Sequence, residues 1–178
     1  MPGFANYIRP VAIITLRLAT PADAEQIREI YNYEVLHTTA TFDLVARSLD
    51  EQQQWLAERS GAFATLVAVD AGDPDGEVVG FGALSPYKER AAYRTSVEDS
   101  VYIRRDRSGQ GIGRLVLSTL IEQAASSGFH AMFARINSAG EASIALHSRC
   151  GFELVGVERE VGRKFNRWHD VTLMQRLL

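Results

Sequence analysis

The stretch "SVYIRRDRSGQGIGRLVLSTLIEQA", Ser100 to Ala124, passes from alternating apolar residues to helix-spaced ones through Gly109, Gly111 and Gly113. A strand that feeds a helix directly confines the chain to folds that layer helices on a sheet. Arg104, Arg105, Arg107 and Arg114 flank the turn. A helix N-terminus offers free N–H groups and roughly half a positive charge. Glycine lets an anion approach that backbone with no Cβ in the way. The turn therefore serves either a phosphate group or a tight packing corner. Two nucleotide motifs fit poorly. Gly113 is followed by Arg114 and Leu115, not by the Lys-Ser/Thr of a P-loop. "GQGIGR" is one residue too tight for G-x-G-x-x-G and follows a run of strands.

The flanking sequence supplies the other elements. "AIITLRLAT" alternates and reads as a strand. "TPADAEQIREIYNYEVLHT" reads as a helix with Thr20 as its cap and Pro21 in its first turn. "SLDEQQQWLAERSG" is a shorter helix, capped by Ser48 and stopped by Gly61. "FATLVAVD" and "EVVGFGALS" are strands joined by "AGDPDG", and "VEDSVYI" is a third. After the glycines, Ile112, Leu115, Val116, Thr119, Leu120 and Ala124 form the apolar face of a helix. "HAMFARI" is a strand, "GEASIALHSRCG" a helix ended by Gly151, and "FELVGVERE" and "RWHDVTLMQRLL" are the last strands. The order β-α-α-β-β-β-α-β-α-β-β predicts an α/β fold with a mixed sheet, since three successive strands exclude strict alternation. With no repeat or linker, we expect one domain over 13–178 and a loose N-terminal arm over 1–12.

A net charge of −3 argues against a general nucleic-acid binder. The single cysteine, Cys150, can form no internal disulfide, as suits a reducing compartment. No apolar run approaches the ~20 residues of a membrane helix, and the start lacks the pattern of a secretory leader. These features predict a cytoplasmic protein with no membrane contact.

The turn Ser108-Gly109-Gln110-Gly111-Ile112-Gly113 resembles that of the GCN5-related N-acetyltransferases (GNAT), whose pattern is Gln/Arg-x-x-Gly-x-Gly/Ala. Ser108 departs from the usual Gln or Arg. "YRTSVEDSVYI", "ASIALHSRCGF" and "VGRKFNRWHDVTLMQ" are similar to successive blocks of the phosphinothricin and methionine sulfoximine acetyltransferase subgroup. "IREIYNYEVLHTTATF" is similar to that subgroup's substrate-side helix and loop, so the resemblance covers residues 15–178. It implies the GNAT fold: a twisted, mixed, seven-stranded sheet splayed at its central strands and flanked by about four helices. It also implies acetyl-CoA as co-substrate, a small-molecule amine as acceptor, and a homodimer.

What the resemblance implies for single residues can be set beside plainer roles. In the splayed strand, Val101, Tyr102 and Ile103 would have unpaired backbone groups that pantetheine amides satisfy, because a buried orphan is costly. The diphosphate would lie on Gly109, Gln110, Gly111, Ile112, Gly113 and Arg114. Glu98 would be the general base; as a plain strand carboxylate its pKa would be about 4.3. His147 would protonate the leaving thiolate or hydrogen-bond the sulfur, or else only pack. Relatives carry an asparagine three residues before Ser143, where this chain has Gly140; Asn137 or backbone would take over that contact. Lys88, Arg90 and Tyr93 would face the acceptor's acidic group, or be solvated loop residues. Phe42 would wall the acceptor or anchor the core. Trp168 and Asp170 would serve the substrate side or a dimer contact, and Cys150 would be core. No metal is expected. The expected activity is acetyl transfer to a small amino acid or analogue of the phosphinothricin or methionine sulfoximine type. Alternatives are transfer to protein N-termini or other amines, a non-catalytic acyl-CoA sensor, and a nucleotide-binding module.

Overall fold

The strand Leu66–Asp70 is buried at every position, so it must be covered on both faces. In the computed structural model, which describes residues 13–73 and 76–178, that strand is β2, next to the edge of a seven-stranded sheet ordered β1-β2-β3-β4-β5-β7-β6. The strands are β1 (Ile14–Leu18), β2, β3 (Val78–Pro86), β4 (Ser96–Ile103), β5 (Ala131–Asn137), β6 (Glu153–Lys164) and β7 (Arg167–Leu177). The helices are α1 (Ala24–His37), α2 (Leu49–Ala57), α3 (Ile112–Ser126) and α4 (Glu141–Arg149). The predicted order of strands and helices is the order observed. The expected arm over 1–12 lies outside the described residues.

Only β4 and β5 pair in parallel, and they do so briefly: Ser96, Val97 and Glu98 face Ala131, Met132 and Phe133. Beyond Glu98 the two strands part. β4 stays paired with β3 as far as Ile103, and β5 stays paired with β7 as far as Asn137. Each strand therefore keeps one partner while its inner edge opens.

The faces differ in what covers them. Tyr102 and Phe81 stack at 5.2 Å on one face, and the ring of Tyr31 from α1 meets Tyr102 edge-on at 5.2 Å. On the other face α3 lies so close to the sheet that a Cβ on Gly82 would sit 2.5 Å from Val116 and 2.8 Å from Leu120. Alternation along β4 sends Glu98, Ser100 and Tyr102 toward α1, and Val97, Asp99, Val101 and Ile103 toward α3 and α4.

Three local readings change. On α3 the buried stripe takes in Leu117 and Ile121 and leaves Leu115 outside, at 41% exposure. The helix packs on β2, β3 and β4 and against α4, so its apolar arc is wider than one row. α2 stops at Ala57, before Gly61, which with φ +56° opens a separate 3-10 turn. The penultimate strand does not end at Glu160. A bulge there, with φ +50°, lets β6 continue to Lys164 and turn into β7 through Phe165 and Asn166, both in left-handed conformations. The start of α2 is as read: Ser48 Oγ accepts the Glu51 N–H, and the Glu51 carboxylate accepts the Ser48 N–H.

Candidate active site

Where β4 and β5 part, a cleft of about 570 Å³ opens, a size suited to a small-molecule ligand. Its walls are β4 from Glu98 to Tyr102, β5 from Ala134 to Asn137, the loop Thr38–Phe42, and the Gly140, Ser143 and His147 side of α4. Glu98 stands at the fork, directed toward the α1 side. Burial raises its pKa, against the opposing charge of Arg135. Arg135 is itself tied to Glu158 at 2.5 Å. The Glu98 carboxylate makes no hydrogen bond among the described residues, so both oxygens are open to a proton from the cleft.

His147 approaches from α4 on the opposite side. Its Nε2 lies 3.0 Å from Asp99 Oδ2, and its Nδ1 lies 2.7 Å from the Ser143 carbonyl. Both partners accept, so the ring is fully satisfied when both nitrogens carry hydrogen. Burial alone would lower its pKa; the Asp99 hydrogen bond and charge, with the Ser143 carbonyl, outweigh that and raise it. Asp99 was absent from the sequence reading. Strand alternation beside Glu98 puts it on the other face, but only the packing of α4 reveals its partner, distant in sequence.

The residues expected at the coenzyme divide into two uses of glycine. Gly109 and Gly111 have φ of +76° and +82°, with open space where a Cβ would lie. They turn the chain into α3 through left-handed backbone that glycine adopts freely. Gly113 is the packing corner: a Cβ there would sit 3.3 Å from Leu146 and 3.7 Å from Ile103. Gly113 is thus the packing corner of the turn, while Gly109 and Gly111 leave open space beside the backbone. Three of the flanking arginines are already engaged. Arg104 pairs with Glu77 and Asp106, Arg107 with Asp70 and Glu77, and Arg105 with Glu34. Arg114 is exposed and makes no ion pair among the described residues.

Asn137 has one arm committed and one free. Its Oδ1 accepts the Ala139 N–H at 2.9 Å, while Nδ2 is buried without a partner. Gly140 has little room for a side chain, since a Cβ would lie 3.0 Å from the Asn137 carbonyl and 3.2 Å from Ile136. These features fit an extended, amide-bearing ligand with a diphosphate end: an unpaired strand edge, a spare amide donor at its side, and an open N-terminal turn beyond it.

On the acceptor side, Phe42 lines the cleft and its ring rests over Gly162. Lys88, Arg90 and Tyr93 do not join it. They form a separate shallow depression on the β3–β4 connection, with the Lys88 ammonium 4.8 Å from the Tyr87 ring and 5.1 Å from that of Tyr93. Tyr87 stacks on Phe133 at 4.0 Å, which pins this loop beside the fork without turning its cations inward. Trp168 is 61% exposed, with the Arg163 guanidinium 5.6 Å from its ring. Asp170 accepts the Glu160 N–H at 2.8 Å and so braces the β6 bulge. Cys150 is buried in the core cluster with a free thiol.

A family model described as an acetyltransferase (GNAT) domain matches residues 16–173. The L-methionine sulfoximine/L-methionine sulfone acetyltransferase of Pseudomonas aeruginosa is 41% identical, with 90% of this chain and 92% of the relative covered. The phosphinothricin N-acetyltransferase of Streptomyces coelicolor is 37% identical over the whole of both chains. Among solved structures, a phosphinothricin acetyltransferase from Sinorhizobium meliloti in complex with acetyl-CoA has a TM-score of 0.87 and 39% identity, covering 93% of this chain and 88% of that one. With a splayed sheet, an open glycine turn and this likeness along its length, the chain belongs to the GNAT acetyltransferase family.

Proposed function

We propose that this protein is an acetyl-CoA-dependent N-acetyltransferase for the amino group of small amino acids or analogues, of the phosphinothricin and methionine sulfoximine or sulfone type. The observation that carries the reading is the half-buried Glu98, unengaged by hydrogen bonds, at the fork of β4 and β5. It stands between an open strand edge and the acceptor-side loop. The curated relatives act on these amino acid analogues, and they match almost the whole chain.

Bound acetyl-CoA supplies the thioester carbonyl that the amine attacks. Backbone groups of Val101, Tyr102 and Ile103 bind the pantetheine amides as an added strand. Asn137, with its Nδ2 free of partners, would help hold the pantetheine, and Gly140 and Ser143 would form the other wall. Gly109, Gln110, Gly111, Ile112 and Gly113 present N–H groups to the diphosphate, and Arg114 adds its charge. Glu98 takes the proton of the acceptor ammonium, directly or through one water. A carboxylate pKa raised toward neutrality improves its match to that task. His147, its pKa raised by Asp99 and both ring nitrogens engaged, lines the cleft on the α4 side and holds that wall in place beside the thioester. Phe42 walls the acceptor's side chain.

No helix of the described residues is long and apolar enough to cross a membrane. We place the enzyme in the cytoplasm, where free Cys150 stays reduced. We also read it as a homodimer, because edge strand β6 exposes the apolar side chains of Leu154, Val155, Val157 and Val161, which a second copy would cover. Light scattering should return twice the chain mass.

The direct test measures thiol release from acetyl-CoA with phosphinothricin, methionine sulfoximine, methionine sulfone, common amino acids, a peptide N-terminus and an aminoglycoside. We expect release with the amino acid analogues first. If calorimetry shows acetyl-CoA bound but no amine raises thiol release above hydrolysis, the enzyme reading fails and a sensor remains.

A further inference from the structure

The acceptor-side loop is held from a part of the sheet that the chemistry does not otherwise use. Lys164, at the end of β6, is 3% exposed. Its ammonium donates to the Thr41 carbonyl at 2.8 Å and to the Glu34 carbonyl at 3.3 Å. Among the described residues it makes no ion pair. Burial lowers its pKa, opposed by the charges of Asp43 and Glu34. A buried ammonium is expensive, and an apolar side chain of similar length would fill the space at less cost. What the charge adds is direction, since it fixes one carbonyl in the last turn of α1 and one in the loop itself.

Two residues earlier, Gly162 gives Phe42 its place. A Cβ on Gly162 would lie 2.2, 2.5 and 2.8 Å from three atoms of the Phe42 ring. The backbone at Gly162 is not left-handed, so the glycine is required by the ring and not by the turn. The loop is also fastened from within: Thr38 Oγ1 donates to Glu34 at 2.6 Å, Tyr31 OH donates to Asp43 at 2.6 Å, and Thr41 Oγ1 lies 3.0 Å from that hydroxyl. Those contacts are local to α1 and the loop. Across to the β6–β7 hairpin it is tied by Lys164, by Gly162 and by His169, whose ring centroid lies 6.0 Å from that of Phe42.

We propose that Gly162 and Lys164 are positioning residues for the acceptor amine: they set where Thr41 and Phe42 stand in the cleft that also holds Glu98, and so which acceptor side chain fits. The acceptor part of this proposal rests on the enzyme reading above. The mechanical part does not.

The test uses the full chain and four substitutions. Gly162→Ala forces the Phe42 ring aside without backbone strain. Gly156→Ala, on the same strand with nothing within 4 Å of the added Cβ, is the control. Gly162→Ala should raise KM for the acceptor about tenfold, the worth of a misplaced apolar contact. KM for acetyl-CoA should stay within about twofold, and Gly156→Ala should leave both constants unchanged. In a Phe42→Leu background the Gly162→Ala effect should shrink to within about twofold, because the ring it displaces is gone. Lys164→Met should act in the same direction, with thermal unfolding followed to show that it folds. Amide hydrogen exchange over 38–43 is measured in parallel without any acceptor. It should quicken in Gly162→Ala and Lys164→Met while β5 and α3 stay protected. Unchanged exchange over 38–43 overturns the proposal, as does a Gly162→Ala effect that persists undiminished beside Phe42→Leu. Faster exchange in a protein that acetylates none of the amines would leave the clamp standing and reject the enzyme reading instead.

Discussion

At the end proposed for the coenzyme, Ser108 to Gly113 make the turn from consecutive residues, and what they offer is backbone. At the acceptor end, the loop from Thr38 to Phe42 takes its shape from Tyr31, Glu34, Gly162 and Lys164, drawn from α1 and from a hairpin near the other end of the chain. The first end needs only a left-handed φ at Gly109 and Gly111 and a helix start. The second needs the fold complete. Evolution of a new acceptor preference then has many places to act, including residues that touch no ligand, while the phosphate turn has few.

Glu98 belongs to neither end. It stands where the two meet, so its loss should be the largest effect available. Glu98→Gln keeps the size and removes the proposed base. We expect kcat to fall by about 10²–10⁴-fold, with acetyl-CoA affinity unchanged. The rate of the wild type should climb with pH as the carboxylate ionises, through a midpoint above the ordinary value of about 4.3. That ascending limb should be missing in the variant. A variant with full turnover would take the base role from Glu98 and leave the two ends of the cleft without a chemical junction.

The Asp99–His147 pair ranks next. It joins β4 to α4, and it is deeply buried, at 2% and 4% side-chain exposure. Asp99→Asn leaves a buried imidazole without its counter-charge and should cost about 3 kcal/mol of stability. The sign with pH follows from the raised pKa of His147. Folding then favours the protonated ring. That stabilisation is fully present below the unfolded value of about 6.5 and is lost as pH rises through the higher folded value. Thermal unfolding should show the widest gap between wild type and variant near about pH 6 and a narrower one near about pH 9. A gap that widens with pH would mean that the ring is neutral throughout.

The same contrast explains what could be read from the residues alone. The Ser48–Glu51 cap, the strand alternation of "SVEDSVYI" and the glycine turn are local, so propensity and spacing carry them. The splay was expected only through the family resemblance, because nothing in the composition of β4 or β5 says where they separate. Asp99, Lys164 and the need for glycine at position 162 were missed. Each depends on a partner on another element, and a lysine or glycine near a turn looks like ordinary surface chemistry until the partner is in place. Lys88, Arg90 and Tyr93 fail to meet the cleft for the converse reason: their loop is polar throughout, and it is Tyr87 stacking on Phe133 that decides which way it lies.

Two glycine-to-alanine changes put the comparison in its sharpest form, and the one at the coenzyme end should be the milder. At Gly111 the backbone is left-handed, with φ +82°, and nothing lies within 4 Å of the added methyl. At Gly162 the backbone is ordinary and the space is filled by Phe42. Gly111→Ala should therefore cost only conformational strain, about 1 kcal/mol in thermal unfolding. It should raise KM for acetyl-CoA while leaving the acceptor constant alone, the mirror image of Gly162→Ala. A methyl at Gly111 also stands in the open space where an anion would come close to the N–H groups of α3. If Gly111→Ala moved the acceptor constant instead, the phosphate turn and the acceptor loop would be coupled through β4. The independence of the two ends would then be lost, and the links are in place: Ile103 packs against Gly113, Tyr102 against Tyr31, and Arg105 beside the turn pairs with Glu34 under the acceptor loop.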